Sequence, residues 1–210
     1  MIRQPMSRPG RRALIIFAVG FGLLVVALAA LYAGRIGGTA RLAEVTGPQI
    51  GGPFAMTDQD GRKVTEASWP GRHLLVFFGF THCPDVCPLA LGEVSMALDT
   101  LGKADAVRLQ PLFVTVDPER DTAAALKDYL MAFDERILGL TGTPEEVAAM
   151  ARAYRVYYKK TPVQGALGYT MDHSAFVYLI SPQGKLEAFF THETKGDAMA
   201  QKIKGFLGRG

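Results

Sequence analysis

The sequence predicts an α/β domain, a mixed β-sheet flanked by helices, preceded by one N-terminal transmembrane helix. Three observations carry the prediction. An uncharged apolar run of 21 residues, 13–33, follows an arginine-rich start. Beyond it, short apolar runs with strand character alternate with segments whose apolar residues recur at helical steps. The last two strand-like runs flank a tight turn, so they pair antiparallel and make the sheet mixed.

Residues 13–33, ALIIFAVGFGLLVVALAALYA, are long enough for a helix to cross a hydrocarbon core of roughly 30 Å. Arg3, Arg8, Arg11 and Arg12 precede the run and only Arg35 and Arg41 follow closely. The positive-inside rule therefore leaves residues 1–12 in the cytoplasm and exports the rest. Small residues at Ala27, Ala29 and Ala33 keep a cleaved signal peptide as the rival reading, although the run exceeds the roughly 7 to 15 apolar residues of a signal core. Either way the expected location is outside the cytoplasmic membrane, in the periplasm or an equivalent space, with the anchor reading giving a single-pass protein. Residues 34–50, rich in Gly and small side chains, read as a linker. Residues 51–210 form the domain.

Charge divides at the same place. The six arginines of the first 41 residues have no acidic neighbour; without them, 17 basic residues face 20 acidic ones, a formal charge of −3. The sequence pI of 8.9 therefore belongs to the anchor. No basic stripe interleaved with aromatics remains to neutralise phosphates, which argues against nucleic acid as a partner.

Within the domain, residues 54–64 predict a small hairpin turning at Asp60-Gly61. The run HLLVFFGF, residues 73–80, is continuously apolar and bounded by Pro70-Gly71, as a central strand buried on both faces requires. Cys87, Leu91, Val94, Leu98 and Leu101 recur at steps of four and three, the stripe of an amphipathic helix that Gly102 ends. A strand containing LFVTV follows within residues 109–117. A helix over 122–133 then carries Leu126, Tyr129, Leu130 and Phe133, and a short strand covers 137–140. Thr143, Pro144 and Glu146 supply cap, first helical position and capping box to the next helix, which carries Val147, Met150 and Tyr154. Residues 161–171, with Gly165 and Gly168, read as a loop. Strands at 175–180 and 185–190 flank the turn Ser181-Pro182-Gln183-Gly184, and a helix at 197–207 closes the chain.

The two cysteines of the chain, Cys83 and Cys87, lie just past the central strand, at the entrance to the amphipathic helix. Sites in open α/β sheets form beyond the carboxyl ends of strands, where a helix N-terminus stabilises thiolates. A spacing of four puts the sulfurs on one side of a helical turn, near enough to share an ion or close a disulfide. A structural disulfide is the plain alternative, but so short a loop removes little unfolded-state entropy. Two soft thiolates select Cu(I) or Zn, and two cysteines are too few for an ordinary iron-sulfur cluster.

A third ligand must come from His73, His82, His173 or His192. His73 begins a buried strand, His82 is a turn neighbour of Cys83 expected to point elsewhere, and His192 has no local support. His173 stands immediately before a sheet strand, where loops converge on one end of the sheet. A solvated loop histidine remains the alternative. Asp172 is the expected orienting carboxylate. Asp85 adds negative charge beside the thiolates or merely opens the helix; Asp117, Arg120 and Asp121 follow a strand and are expected at the same sheet end, in partner contact or loop closure.

The segments Thr81-His82-Cys83-Pro84-Asp85-Val86-Cys87-Pro88, Asp117-Pro118-Glu119-Arg120-Asp121 and Asp172-His173-Ser174 together resemble the Sco/SenC/PrrC family of copper chaperones, over about residues 51–190. The resemblance implies a thioredoxin-like fold and assembly of the binuclear copper A centre in subunit II of cytochrome c oxidase. It also implies copper, as Cu(I) or Cu(II), on Cys83, Cys87 and His173. A copper donor completes the partner set, as does an exported thiol reductant, because oxidation outside the cytoplasm would disable a thiolate pair. The rival reading is an exported thiol-disulfide oxidoreductase, in which Cys83 and Cys87 would be catalytic. The Phe-Thr-x-Cys-Pro pattern of residues 80–84 raises a peroxidase reading, which lacks a second motif for a peroxide pocket.

Overall fold

The computed structural model describes residues 49–165 and 168–208, together with 22–24 and 28. Of the predicted anchor, 13–33, only those last four residues are described, and all four are helical. Among the described residues no helix is long and apolar enough to cross a membrane. The linker and the cytoplasmic stretch lie outside the described residues up to residue 48.

The domain begins with the small hairpin, β1 (Ala55–Asp58) and β2 (Lys63–Thr65). The Asp58 carboxylate accepts from the backbone N–H groups of Asp60 and Arg62, both at 2.9 Å, which closes the turn the sequence placed at Asp60-Gly61. Next come β3 (His73–Gly79), α1 (Val86–Ala106), β4 (Leu109–Thr115), α2 (Ala123–Leu130), β5 (Leu138–Thr141) and α3 (Pro144–Ala153). Then follow β6 (Tyr158–Pro162), β7 (Tyr169–His173), β8 (Phe176–Ile180), β9 (Leu186–Thr191) and α4 (Gly196–Leu207).

Seven strands form one sheet in the order β2-β1-β5-β4-β3-β8-β9. β3, β4 and β5 are parallel, while β1 pairs antiparallel with β5, β8 antiparallel with β3, and β9 antiparallel with β8. The sheet is mixed, as predicted. β3 and β4 are buried along their whole lengths, matching their unbroken apolar runs. On α1, the stripe Cys87, Leu91, Val94, Leu98 and Leu101 is buried with Ala90 and Ala97. Each large side chain on it contributes about 1.5–3 kcal/mol by leaving water. Gly102, at φ 73° and ψ 168°, breaks the helical path where the stripe ends, a conformation that glycine alone adopts cheaply.

Two expectations change. The helix expected over 122–133 stops at Leu130, with Thr122 capping through its side chain to the Ala125 N–H at 3.2 Å. The segment 161–171, expected as a loop, is strand at both ends: Thr161 and Pro162 end β6 and Tyr169 to Met171 begin β7, in a second, two-stranded sheet that pairs Tyr158 with His173 and Pro162 with Tyr169, while Gly165 and Gly168 lie between the strands. β6 is almost wholly solvated, so it carries no alternating apolar signal. The capping box of α3 is present, with Glu146 N–H to Thr143 Oγ1 at 3.2 Å and Thr143 N–H to Glu146 Oε2 at 2.8 Å.

Candidate metal centre

The register of the sheet decides where the site forms. Gly79 at the end of β3 lies beside Thr115 at the end of β4, and Phe77 lies opposite Val177 near the start of β8. One end of the sheet thus collects the segment after β3, the segment after β4 and the segment before β8. Those segments carry Cys83 and Cys87, Asp117 to Asp121, and His173.

Cys87 opens the buried stripe of α1 and has no exposed surface, whereas Cys83 in the preceding turn is half-buried; both are free thiols. The Cys87 backbone N–H donates to Cys83 Sγ at 3.4 Å, the contact expected of a sulfur sitting over a helix N-terminus. Gly79 makes room for Cys87: a β-carbon there would stand 2.8 Å from its sulfur and 2.6 Å from the Phe113 ring.

The cysteine turn is fixed from below by Asp121, a fully buried carboxylate. It accepts from the Thr81 N–H at 3.0 Å, the Thr81 hydroxyl at 2.6 Å and the Thr115 hydroxyl at 2.7 Å. Three donors satisfy its oxygens.

His173 closes the third side. Its Nε2 lies 3.7 Å from Cys87 Sγ, and its ring stands edge-on to Phe80 at 5.8 Å between centroids. Its Nδ1 faces the Ser174 carbonyl at 3.1 Å. A carbonyl only accepts, so Nδ1 carries the hydrogen and the lone pair of the neutral ring sits on Nε2, toward the sulfur. An ion with legs of about 2.3 Å to sulfur and about 2.0 Å to nitrogen, opened to a trigonal angle, spans about that same S···N separation.

The two thiols are driven apart as acids. Cys83 is lowered to about 4, first because the Cys87 thiol donates to its thiolate and further by the His173 ring beside it and the N–H groups of Asp85 and Cys87, against an opposing push from burial. Cys87 is raised, because its proton is held by Cys83 and because it is buried. At neutral pH the pair is one thiolate and one thiol sharing a proton, which a soft cation can displace. Among the described residues, no three His, Cys, Asp or Glu side chains already converge as a cage. Cys87 and His173 lie side by side, and Cys83, the more exposed sulfur, sits over the same helix start.

The other predicted residues divide. Asp172 does not orient His173: it points to the opposite face of β7 and accepts from Thr161 Oγ1 at 2.7 Å, so the Ser174 carbonyl does that work. His82 is exposed, its Nδ1 3.0 Å from Thr81 Oγ1 and 3.9 Å from Asp121 Oδ1. His73, at the opposite end of β3, is buried in a pair with Glu187 at 3.0 Å, and His192 follows β9 in a turn. Asp85 is exposed and makes no side-chain cap to α1.

Asp117, which is buried, and Arg120, which is partly exposed, form an ion pair, and Tyr169, a residue that no sequence motif singled out, completes it. Its phenol donates to Asp117 Oδ1 at 2.9 Å, its carbonyl accepts from Arg120 at 3.1 Å, and its ring lies 3.7 Å under the guanidinium. The period-two run Tyr169, Met171, His173 was the available signal, a strand face shared by all three.

Comparison with known proteins places this geometry. The SCO1/SenC family model matches residues 43–208. The human mitochondrial SCO1 homolog is 43% identical over 155 residues, 73% of this chain and 52% of its own length. The Arabidopsis thaliana SCO1 homolog 1 is 40% identical over 154 residues, 73% of this chain and 46% of its own. The chain thus spans about half the length of these relatives. Among solved structures, copper-bound ScoI of Bradyrhizobium japonicum is 45% identical with a TM-score of 0.69, covering 75% of this chain and 99% of that one. Copper-bound yeast Sco1 is 40% identical with a TM-score of 0.69, covering 77% and 90%. The fold is the mixed-sheet, thioredoxin-like α/β fold of those structures, and the chain belongs to the SCO1/SenC family.

Proposed function

We propose that this protein is a copper metallochaperone that carries one copper ion on Cys83, Cys87 and His173 and delivers it to the copper A centre of cytochrome c oxidase subunit II. The observation that carries the reading is a buried thiol beside an imidazole nitrogen at one sheet end, with a half-buried thiolate over the same helix start. The copper-bound structures of ScoI and Sco1, similar over three quarters of the chain, support it. Two sulfurs and one imidazole suit Cu(I) and tolerate Cu(II). Transfer proceeds by ligand exchange: an acceptor thiolate replaces Cys83, the more accessible ligand, then Cys87 and His173 release in turn, so no free ion forms. Residues 13–33 tether the domain to the cytoplasmic membrane on its outer side. A copper donor loads it and an exported reductant keeps the pair reduced. The test is copper titration of the reduced protein: one tightly held copper is expected, and lost in the Cys83→Ala, Cys87→Ala double variant. Undiminished stoichiometric binding in that variant would falsify the assignment.

The raised acidity of Cys83 favours a second activity of the same pair, thiol-disulfide exchange. The Cys83 thiolate attacks a partner disulfide and releases one partner thiolate. The Cys87 thiolate, its proton passed to the released sulfur, then attacks the Cys83 sulfur of the mixed disulfide, expels the second partner sulfur as a thiolate and leaves a Cys83–Cys87 disulfide. His173→Ala separates the activities, because it removes a copper ligand and leaves both sulfurs. If the wild-type protein reduces no partner disulfide, the second activity is absent.

A further inference from the structure

We propose that Arg120, clamped by Asp117 and Tyr169, is a positioning residue that sets where His173 stands against the cysteine pair; the inference rests on reading His173 as a copper ligand. The hairpin carrying His173 pairs with no strand of the main sheet. A groove of ≈ 450 Å³, bordered by Val116, Pro118, Ala148, Val156, Lys160 and Met171, undercuts it on the side of α3. The hairpin therefore needs an anchor other than a backbone ladder. Tyr169 supplies one, four residues before His173 and, by strand alternation, on the same face.

Three bonds converge on that tyrosine from the segment after β4: Arg120 to its carbonyl, Arg120 stacked on its ring, and its phenol to Asp117. Asp117 is itself held by the Thr115 hydroxyl through its N–H at 2.8 Å, and Thr115 also donates to Asp121, which fixes the cysteine turn. One cluster thus sets both halves of the site, the sulfurs through Asp121 and the imidazole through Arg120. Lys160 reinforces the hairpin from outside, 2.7 Å from Glu119 and 4.0 Å from the Tyr169 ring. The Nη2 of Arg120 is buried with no partner among the described residues, and its guanidinium stands 5.9 Å from the Phe80 ring that packs on His173. A side chain chosen for stability alone would satisfy that nitrogen.

The experiment uses the full-length, detergent-solubilised, reduced protein, with Cu(I) competed against a chromophoric copper(I) chelator. Arg120→Leu and Tyr169→Phe are each made with His173 present and with His173→Ala. With His173 present, each weakens Cu(I) retention by about tenfold, the usual effect of losing a group that orients a metal-ligating imidazole. With His173→Ala, neither adds a loss beyond about twofold, because the residue being positioned is gone. Loading with Cu(II) gives the second readout: nitrogen hyperfine coupling weakens in both clamp variants while sulfur-to-copper absorption persists. Equal losses in both backgrounds would show that the clamp acts on the fold at large and overturn the proposal. A loss from His173→Ala but none from either clamp variant overturns positioning and spares the ligand reading. No loss from His173→Ala overturns both. Tyr169→Phe removes one phenolic hydrogen bond and keeps the ring, so the test holds even where Arg120→Leu fails to fold.

Discussion

A methyl group at Gly79 would stand 2.6 Å from Cε2 of Phe113 and 2.8 Å from Sγ of Cys87, closer than side chains approach. Neither neighbour has room to retreat, both being fully buried. Gly79→Ala is therefore expected to cost about 1–3 kcal/mol of stability and to weaken copper retention by displacing the Cys87 sulfur. Denaturant unfolding and copper titration read the two effects separately. Gly92→Ala is the contrast: nothing lies within 4 Å of the added carbon on an exposed face of α1. It should stabilise by up to about 1 kcal/mol through helix propensity and leave copper binding alone. Cys83 offers a second test. A thiol at an ordinary value near 9 is about one part in a thousand thiolate at pH 6, and its alkylation rises about a hundredfold by pH 8. Cys83, lowered to about 4, is already thiolate at pH 6, so alkylation of the reduced, metal-free protein should fall on Cys83 and change little up to pH 8. Cys87→Ala removes the largest cause of the lowering and should restore the steep rise. A steep rise in the wild type, followed by mass spectrometry of the labelled peptide, would contradict the shared-proton pair.

At the scale of elements, what could be read from the sequence followed how much apolar surface each element buries. β3, α1 and β4 announced themselves because their burial is continuous or strictly periodic. The caps of α3 were legible because Thr143, Pro144 and Glu146 act on their own backbone, with no tertiary partner needed. The β6–β7 hairpin was not legible. Its residues Tyr158 to Pro162 are mostly exposed and its fixing bonds run to Asp117, Glu119 and Arg120, 40 or more positions away. The cysteines could be placed from position alone, while His173 needed the family resemblance, and Tyr169 and Gly79 needed coordinates. The contact between α1 and α4 was likewise hidden. A β-carbon on Gly196 would meet the Glu93 carbonyl at 2.6 Å, Met96 Cβ at 2.7 Å and the Ala97 nitrogen at 2.9 Å. Much of that obstacle is backbone, which cannot rotate aside. Gly196→Ala should pry α4 from α1 and cost about 1–3 kcal/mol with copper stoichiometry unchanged in the folded fraction. Unaltered unfolding midpoints would mean that the helices part more easily than this packing implies.

For the whole molecule, topology and the proposed tether answer different needs. Parallel strands β3 and β4 end where antiparallel β8 begins, so distant segments meet at one sheet end without any long loop spanning the domain. The hydrogen bonds and contacts that build this end come from residues 79–174. Copper binding should then be indifferent to the N-terminal segment, whose proposed task is location. An apolar run of 21 residues preceded by four arginines resists extraction because moving it into water exposes on the order of 20 apolar side chains. The full-length protein is expected to stay with membranes through an alkaline carbonate wash and to be digested by protease added outside intact spheroplasts. The version lacking residues 1–47 is expected in the soluble fraction with the same copper stoichiometry. Intact mass distinguishes an anchor from a cleaved leader, since cleavage removes the arginines with the apolar run. Release of uncleaved full-length protein by the wash would remove the membrane tether from the proposal, while loss of copper binding on truncation would show that the first 47 residues shape the metal site itself.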